Sequence, residues 1–529
     1  MKKKTILFTS ILIALALSAC GKTPAPSSSD VSSIETPSSL SEKESSSFSS
    51  SKESSSSSSE ISSSSEVSSS KEESSSSSSS SSEEPDMIVN IEILALNDTH
   101  GNVTDSSTGL GISRTSTLLK TYPNNLDNTL YISQGDMWQG SAEAGLTFGG
   151  IVNDWMNDMN FVSMTVGNHE FDWGTSKIKT NADSANFPYL GINVYSNSTY
   201  ERVDYLKPST VVERNGAKIG IIGAIGDCYS SISSSMVQDV YFVVGNELTS
   251  LVADEATRLK NEENCDFIIY SVHDGRDDSG NNPYDITISN YVDLVLEGHT
   301  HIDYRYQDSK GVYHVQGAGY NETINYVSVD INLTKKTSAI NTVTSIRTNN
   351  YSSLEKDSQG EALFTKYNSV IGHVNDVLGY NKSNKNSTYL HKVVASLYLN
   401  HGQDLWGSYT IFLGGGYIKA RSPYNLPEGN VTYAQLYNLF PFNNDLVLCS
   451  ISGYYLYQKF ITQQSNYYVS YSSYGNAYKD SVQDYETYYI VTDTYTSDYT
   501  PNHLTVIEKY PGYYARDMLA DYVSQGRFA

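Results

Sequence analysis

Residues 162–174 read VSMTVGNHEFDWG, a short apolar run that leads into a turn rich in polar, metal-binding side chains. An apolar run of this length that ends at a glycine is typical of a buried strand. Four other places repeat the pattern. The apolar runs lie at 91–96, 130–132, 267–272 and 292–296, and the turns that follow them lie, in the same order, at 97–101, 135–141, 273–275 and 298–301. We therefore expect five buried strands whose carboxyl ends point into one crevice.

The segments between these runs carry apolar residues at helical spacing. The clearest example is the series Ile151, Trp155, Met156 and Met159. Helices that alternate with buried strands indicate an α/β fold.

The turns supply the ligand types of a metal centre. Carboxylate oxygen, amide oxygen and imidazole nitrogen come from Asp98, His100, Asp136, Asn168, His273, His299 and His301. This mixture suits two divalent ions such as zinc or manganese better than a thiolate site or an all-oxygen calcium cage. Two such ions about 3.5 to 4 Å apart can share a hydroxide and clamp an in-line displacement at phosphorus. One motif alone could be a turn with a capping histidine, but their number and order favour phosphoester hydrolysis.

The five motifs resemble, in sequence order, the signature of the calcineurin-like metallophosphoesterases. The octapeptide at 167–174 is especially close to its form in the 5'-nucleotidase family. The resemblance implies a metallophosphoesterase sandwich at 88–345, with two β-sheets flanked by helices, and a smaller α/β substrate-recognition domain at 379–529. A linker at 346–378 joins them, and apolar residues at helical spacing predict a linker helix over 362–378.

The same resemblance implies a role for each residue of the centre. Asp98, His100 and His301 would hold the first metal, Asn168, His273 and His299 the second, and Asp136 would bridge them. His169 is not a ligand in the family but would stabilise charge on the phosphoryl group or the leaving oxygen. Asp172 would fix its tautomer, and Glu170 would be structural.

The segment TIFLGGGYIKARSP at 410–423 resembles the family's Asn-Gly-Gly-Gly-Ile-Arg segment, whose arginine binds substrate. Leu413 stands in place of the asparagine, and extra residues separate the glycines from the next arginine. Arg421 is therefore the first choice for a substrate-binding cation and Lys419 the second. A glycine turn with a solvated cation nearby is the third interpretation.

Two aromatic side chains are candidates for a nucleobase clamp. Phe442 lies in FPFNN at 440–444, which resembles the family's PFGN segment. Tyr495, or less favourably Tyr499, lies in a stretch that resembles an eroded GGDGY segment. Either ring could instead belong to the core. Stacking accepts any flat base, so a clamp would tolerate different bases.

The N-terminal segment is typical of an export signal. Residues 1–19 combine a basic start with an apolar stretch too short to span a bilayer. The stretch ends in LSACG, which resembles a lipobox and implies that Cys20 is lipidated, although a plain cleavage site would also fit. Residues 20–86 are so rich in serine that we expect a disordered tether. We therefore predict an exported protein, lipid-anchored at the extracellular face of the cell membrane.

The remaining cysteines, Cys228, Cys265 and Cys449, are odd in number, so at most one disulfide can form within the chain. A bond between Cys228 and Cys265 is possible, but buried free thiols are the favoured interpretation.

Charge limits the choice of partner. The chain has 35 Lys and Arg against 59 Asp and Glu, a net charge of −24, which argues against a nucleic-acid polymer as ligand.

We expect an extracellular 5'-nucleotidase that removes phosphate from small nucleotides by attack of a hydroxide that bridges the metals. Two alternatives stay open. One is a sister hydrolase of 2',3'-cyclic nucleotides, UDP-sugars or sulfur esters, and the other is an inactive surface binding or adhesion protein.

Overall fold

The apolar run that precedes Asp98 forms a central strand of the first sheet. This sheet has the order β14-β13-β1-β2-β3-β4 within the described residues. Its strands are β1 (Ile88–Leu96), β2 (Thr129–Ser133), β3 (Ser163–Thr165), β4 (Tyr189–Leu190), β13 (Thr323–Asn332) and β14 (Thr337–Arg347). Strands β1 to β4 run parallel, so the turns that follow them leave from the same edge.

Helices make the crossovers between these parallel strands, as the spacing of apolar residues predicts. They are α1 (Ile112–Thr121), α2 (Ala142–Leu146), α3 (Gly150–Asp158) and α4 (Thr175–Ser184). Helix α3 buries Ile151, Trp155 and Met156, the series identified in the sequence.

The second sheet has the order β11-β12-β10-β9-β7-β6 in the described part of the chain. Its strands are β6 (Ser209–Arg214), β7 (Ala217–Ile225), β9 (Phe267–His273), β10 (Leu294–Glu297), β11 (Tyr304–Gln307) and β12 (Tyr313–Gln316). Helix α5 (Gly245–Asn261) covers it, and β5 (Val194–Ser196) pairs with β8 (Val240–Phe242) in a separate ribbon. One buried cluster contains Ile93 of the first sheet and Ile221 and Ile269 of the second. The predicted two-sheet sandwich is therefore confirmed.

A second, smaller α/β part follows. Its sheet has the order β19-β16-β20-β18-β21 among the described residues, and β15 pairs with β17 beside it. The strands are β15 (Val377–Asn381), β16 (Ile411–Tyr417), β17 (Gly429–Thr432), β18 (Leu446–Ser452), β19 (Tyr467–Tyr471), β20 (Thr487–Asp493) and β21 (Thr505–Tyr510). The helices are α8 (Ser387–Leu405), α9 (Tyr433–Leu439), α10 (Gly453–Tyr455), α11 (Ser473–Tyr478), α12 (Thr494–Tyr499) and α13 (Ala515–Ser524).

The three glycines of the segment at 410–423 lie inside β16 and not in a turn. Helix α8 crosses this strand so closely that a Cβ on Gly414 would come 2.3 Å from the backbone nitrogen of Leu399. Glycine is required here for close packing of a helix on the sheet.

The linker differs from the predicted single helix over 362–378. Helix α6 (Ser358–Lys366) and the short α7 (Asn368–Ile371) occupy its first part, and Val377 already begins β15. Tyr367 interrupts the helix with non-helical backbone angles, and its hydroxyl donates to Asp154 of α3 over 2.6 Å. Val377 faces Thr432 across the β15–β17 pair, so strand pairing overrides the helical spacing of the apolar residues.

This structure, a computed structural model, describes residues 85–281, 286–418, 425–462, 467–499 and 503–528. They all belong to one compact unit. The predicted signal peptide, Cys20 and the serine-rich segment up to residue 84 lie outside the described residues. Cys228, Cys265 and Cys449 are all buried and free, as favoured above. Over the described ranges, no helix has the length and apolar character needed to cross a membrane.

Candidate active site

The predicted metal ligands all lie at one edge of the sandwich, where parallel strands of both sheets end. Asp98 and His100 follow β1, Asp136 follows β2, Asn168 follows β3, His273 ends β9, and His299 and His301 follow β10. Three groups of side chains have donor atoms within 4.8 Å of one another: Asp98, His100 and His301; Asp136, His273 and His299; and His100, Asp136 and His169. The turns therefore converge as the sequence pattern predicts.

In the first group the imidazoles of His100 and His301 face each other. His100 Nε2 lies 2.9 Å from His301 Nε2, and His301 Nε2 lies 3.3 Å from Asp98 Oδ1. His100 Nδ1 lies 3.0 Å from the carbonyl oxygen of Gln139. A proton on Nδ1 can bond that carbonyl, which leaves the Nε2 lone pair facing the group.

The second group is organised in the same way. His273 Nε2 lies 3.2 Å from both Asp136 Oδ2 and Asn168 Oδ1, and its Nδ1 lies 2.7 Å from the carbonyl oxygen of Gln134. Burial, and secondarily the charge on His273, lower the pKa of His299 to about 4. His299 is therefore neutral at physiological pH, the form in which imidazole binds a metal.

Asp136 belongs to two of the three groups. Its Oδ1 accepts the backbone N–H of His169 over 2.8 Å, while Oδ2 faces His273. Burial opposes ionisation of Asp136, but the facing imidazoles of His273 and His169 outweigh it and hold the pKa well below its ordinary value. An ionised carboxylate with both oxygens directed at different neighbours is suited to bridge two cations.

Five of the seven predicted ligands have a left-handed backbone. The φ angles are 50° at Asp98, 49° at His100, 53° at Asp136, 75° at His299 and 59° at His301. Each such residue with a side chain costs about 1–3 kcal/mol, and the surrounding structure must hold it in place. The turns after β1 and β2 do this together, because the Asp98 N–H donates to the Gly135 carbonyl over 3.0 Å. The His100 N–H donates likewise to the Asp136 carbonyl over 2.9 Å.

Glu170 ties two of the turns together. Its Oε2 accepts the N–H of Gly167 over 2.7 Å and that of Asp136 over 2.9 Å, while Oε1 accepts the N–H of Met137 over 2.9 Å. The side chain is fully buried. These contacts are consistent with the structural role that the resemblance implies.

His169 and Asp172 form a pair beside the metal-binding groups. His169 Nδ1 lies 2.7 Å from Asp172 Oδ2, and the two side chains are 14% and 11% exposed. The His169 ring centroid is 5.1 Å from that of His100 and 6.2 Å from that of Phe442, and the ring planes of His169 and Phe442 differ by 26°. The imidazole therefore lies between the candidate metal centre and an aromatic side chain of the C-terminal part.

A cavity of about 390 Å³ opens beside this pair and has walls from both parts of the chain. Asp172 and Trp173 line it from the sandwich, and Phe442 and Tyr495 line it from the smaller part. The structure thus places both predicted aromatic residues at one cavity together with His169. Arg421 and Lys419 lie outside the described residues.

Sequence reasoning missed two residues of this region. Tyr417 lines the cavity, and its ring centroid is 6.0 Å from that of Tyr495. Gln316, at the end of β12, donates its amide to Thr300 Oγ1 over 2.7 Å and to the Ile302 carbonyl over 2.9 Å, on either side of His301. Tyr417 directly follows the glycines of the segment at 410–423. Assignment of that segment to a strand would have indicated that Tyr417 lies at the strand end. Gln316 belongs to no motif and gives no local signal.

Comparison with known proteins supports the family suggested by the motifs. Residues 91–303 match the family model of the calcineurin-like phosphoesterases. The matched range contains all seven predicted metal ligands together with His169 and Asp172.

Two relatives show how much of the chain has detectable sequence similarity. The protein UshA of Yersinia enterocolitica is 29% identical over 232 residues, which are 41% of this chain and 41% of the relative. A 5'-nucleotidase of Vibrio cholerae is 27% identical over 232 residues, also 41% of each chain. The aligned region thus spans 41% of the length of each relative.

The fold extends further than this alignment. The crystal structure of a 5'-nucleotidase precursor from Thermus thermophilus covers 83% of this chain and 96% of its own, with a TM-score of 0.62 and 16% identity. At this identity the match shows a shared fold, which includes the two-sheet sandwich and the smaller C-terminal part.

Proposed function

We propose that this chain, whose residues 91–303 form a calcineurin-like phosphoesterase domain, is an exported phosphohydrolase that removes phosphate from nucleotides with the help of two divalent ions. The family match and the nucleotidase relative indicate a metal-dependent phosphoester hydrolase. The observation that carries the finer proposal is the position of His169, between the candidate metal centre and an aromatic-lined cavity.

The donor set fits two divalent ions. Buried carboxylates, one amide oxygen and imidazoles oriented by backbone carbonyls are ligands for zinc or manganese. Asp98, His100 and His301 would hold one ion, Asn168, His273 and His299 the other, and Asp136 both. Bound there, the ions would supply charge stabilisation and lower the pKa of water.

The chain itself positions the phosphoester. Asp172 Oδ2 can accept a hydrogen bond from His169 Nδ1–H over 2.7 Å, and this bond fixes the orientation of the ring beside the cavity. From this position the imidazole can stabilise charge that develops on the phosphoryl group or the leaving oxygen. Asp98, Asp136 and His273 are buried, and electrostatic interactions are stronger in such a low-dielectric environment.

The cavity supports a nucleotide as substrate. Its volume of about 390 Å³ lies within the range of small-molecule sites. A base that stacks on Phe442, with Tyr495 lining the same cavity, would place its phosphate toward His169. Arg421, or alternatively Lys419, is proposed to bind an anionic or polar group of the same molecule.

Phe442→Ala tests this part of the proposal. We expect the KM for nucleoside monophosphates to rise about 10-fold or more, because roughly 1 to 3 kcal/mol of stacking is lost. Hydrolysis of p-nitrophenyl phosphate should change much less, since this substrate can reach the metal centre without filling the cavity. Steady-state kinetics of parent and variant on both substrates provide the measurement.

The same assay distinguishes the alternatives. Preference of the parent protein for 2',3'-cyclic nucleotides, UDP-sugars or a sulfur ester would favour a sister hydrolase. An equal loss of activity on both substrates in Phe442→Ala would show that Phe442 does not recognise the base. Absence of any metal-dependent turnover, with EDTA-treated protein as the reference, would favour a binding protein.

We also propose that Cys20 carries the lipid anchor. Cys20→Ser should release the protein from the membrane fraction without changing its specific activity, because a serine-rich tether transmits no constraint to the catalytic part. Cell fractionation followed by an activity assay provides the measurement. Retention of the variant on the membrane would instead identify residues 1–19 as an uncleaved anchor.

A further inference from the structure

Arg516, at the start of α13, is a cation buried behind the wall of the cavity, with 3% of its surface exposed. Its Nη1 donates to the carbonyl oxygens of Phe440 and Pro441 over 3.3 Å each and to that of Phe442 over 2.9 Å. Its Nη2 donates to the side-chain oxygen of Asn443. One guanidinium thus binds four successive residues of the segment that carries the candidate base-stacking ring.

Two aromatic rings hold the guanidinium in place. Its Cζ lies 4.4 Å from the centroid of Tyr437 and 4.5 Å from that of Tyr514. Nε donates to the hydroxyl of Tyr433 over 3.3 Å. Arginine suits this environment because its planar fork can stack on rings and bond several acceptors at once, whereas lysine offers a single point charge.

Tyr437 also links this cluster to the sandwich. Its ring lies in the core of the N-terminal part, and a Cβ on Gly145 of α2 would come 1.8 Å from its hydroxyl oxygen. The segment at 440–443 is therefore linked, through Arg516 and Tyr437, to the same N-terminal part that carries His169. Movement of the guanidinium would change the position of Phe442 relative to His169.

The segment needs such a partner. Helix α9 ends at Leu439, and the following carbonyls have left the helical pattern, since Phe440 has an extended φ of −132° and a ψ of 71°. Buried carbonyl groups without a donor are costly. By satisfying three of them in a row, Arg516 fixes the peptide planes on either side of Phe442 and hence the direction of its side chain.

We propose that Arg516 is a positioning residue for substrate recognition, which holds Phe442 in its stacking orientation without touching the substrate. All three guanidinium nitrogens donate to atoms of the protein, so this role differs from the anion binding proposed for Arg421. The inference rests on the proposed nucleotide-binding cavity and adds to it a residue outside every sequence motif.

The test compares Arg516→Lys with the parent protein on a nucleoside monophosphate and on p-nitrophenyl phosphate. We expect the KM for the nucleotide to rise about 10-fold, because a change of this size follows from the loss of stacking on one base. The kcat and the turnover of p-nitrophenyl phosphate should stay near the parental values. Arg527→Lys is the matched control, because Arg527 also lies over a tyrosine ring near the C-terminus but is exposed.

The double variant Arg516→Lys with Phe442→Ala shows whether one residue acts through the other. If Arg516 works by positioning Phe442, the double variant should have the KM of Phe442→Ala alone, since effects of coupled residues do not add. Additive effects would overturn the proposal. A parallel loss of activity on both substrates, in Arg516→Lys and in the uncharged Arg516→Gln, would also overturn it and show a purely structural role.

The result also separates this inference from the function on which it rests. If Phe442→Ala impairs nucleotide turnover while Arg516→Lys does not, only the positioning role is wrong. If the parent protein has no preference for nucleotides over p-nitrophenyl phosphate, the nucleotide function is wrong and the positioning role is wrong with it.

Discussion

Asp136→Ala is expected to abolish turnover and to lower the metal content by at least one ion. The side chain belongs to two of the three donor groups, and its two oxygens face different neighbours. Without this carboxylate, two cations would repel each other with no shared negative charge between them. Metal analysis of the purified variant, together with its kcat, provides the measurement.

Asp158→Ala is a suitable control for this experiment. Asp158 ends α3 and is exposed, so its loss changes the net charge equally without touching the candidate centre. Near-parental turnover of Asp136→Ala with two bound ions would contradict the proposed metal assignment.

His169→Ala should retain both metals and slow turnover by roughly 10² to 10⁴, the range for a positioned acid or charge stabiliser. The imidazole lies between the candidate centre and the cavity, and Asp172 holds its Nδ1 over 2.7 Å. Metal analysis is essential here, because a donor atom of His169 also lies within 4.8 Å of those of His100 and Asp136. Loss of an ion in the variant would make His169 a ligand.

The chain offers a close control for His169. His373 pairs with Asp376 three residues on, with Nδ1 and Oδ2 2.9 Å apart, but its side chain is 90% exposed. His373→Ala therefore removes the same type of pair away from the cavity, and its turnover should equal that of the parent. A large loss in this control would show that histidine removal acts through general destabilisation.

The convergence of the candidate metal ligands was predictable, because each of them belongs to a short local sequence motif. Each ligand follows a short apolar run, and parallel strands bring the residues after their carboxyl ends to one edge. His273 and His299 therefore converge although 26 positions of chain and a strand separate them. The pattern alone did not predict the left-handed backbone of these turns, because that depends on hydrogen bonds between loops such as Asp98 to Gly135.

The C-terminal part was less predictable because long-range contacts decide its structure. Val377 continues a helical apolar spacing, yet pairing with Thr432 makes it a strand. Gly414 to Gly416 resemble a turn but lie in a strand, because β16 pairs with β19 on one side and with β20 on the other. Arg516 lies more than seventy positions from Phe442, so only the folded chain reveals their contact.

The left-handed ligand residues also set a limit on protein engineering. A laboratory selection for thermal stability would favour glycine at positions such as His299 and His301, because glycine adopts positive φ without steric cost. Each such gain would remove a donor atom from the candidate metal centre, so the proposed activity would fall as stability rises. Stabilising substitutions in this protein should therefore be sought away from these turns, for example on the exposed faces of its helices.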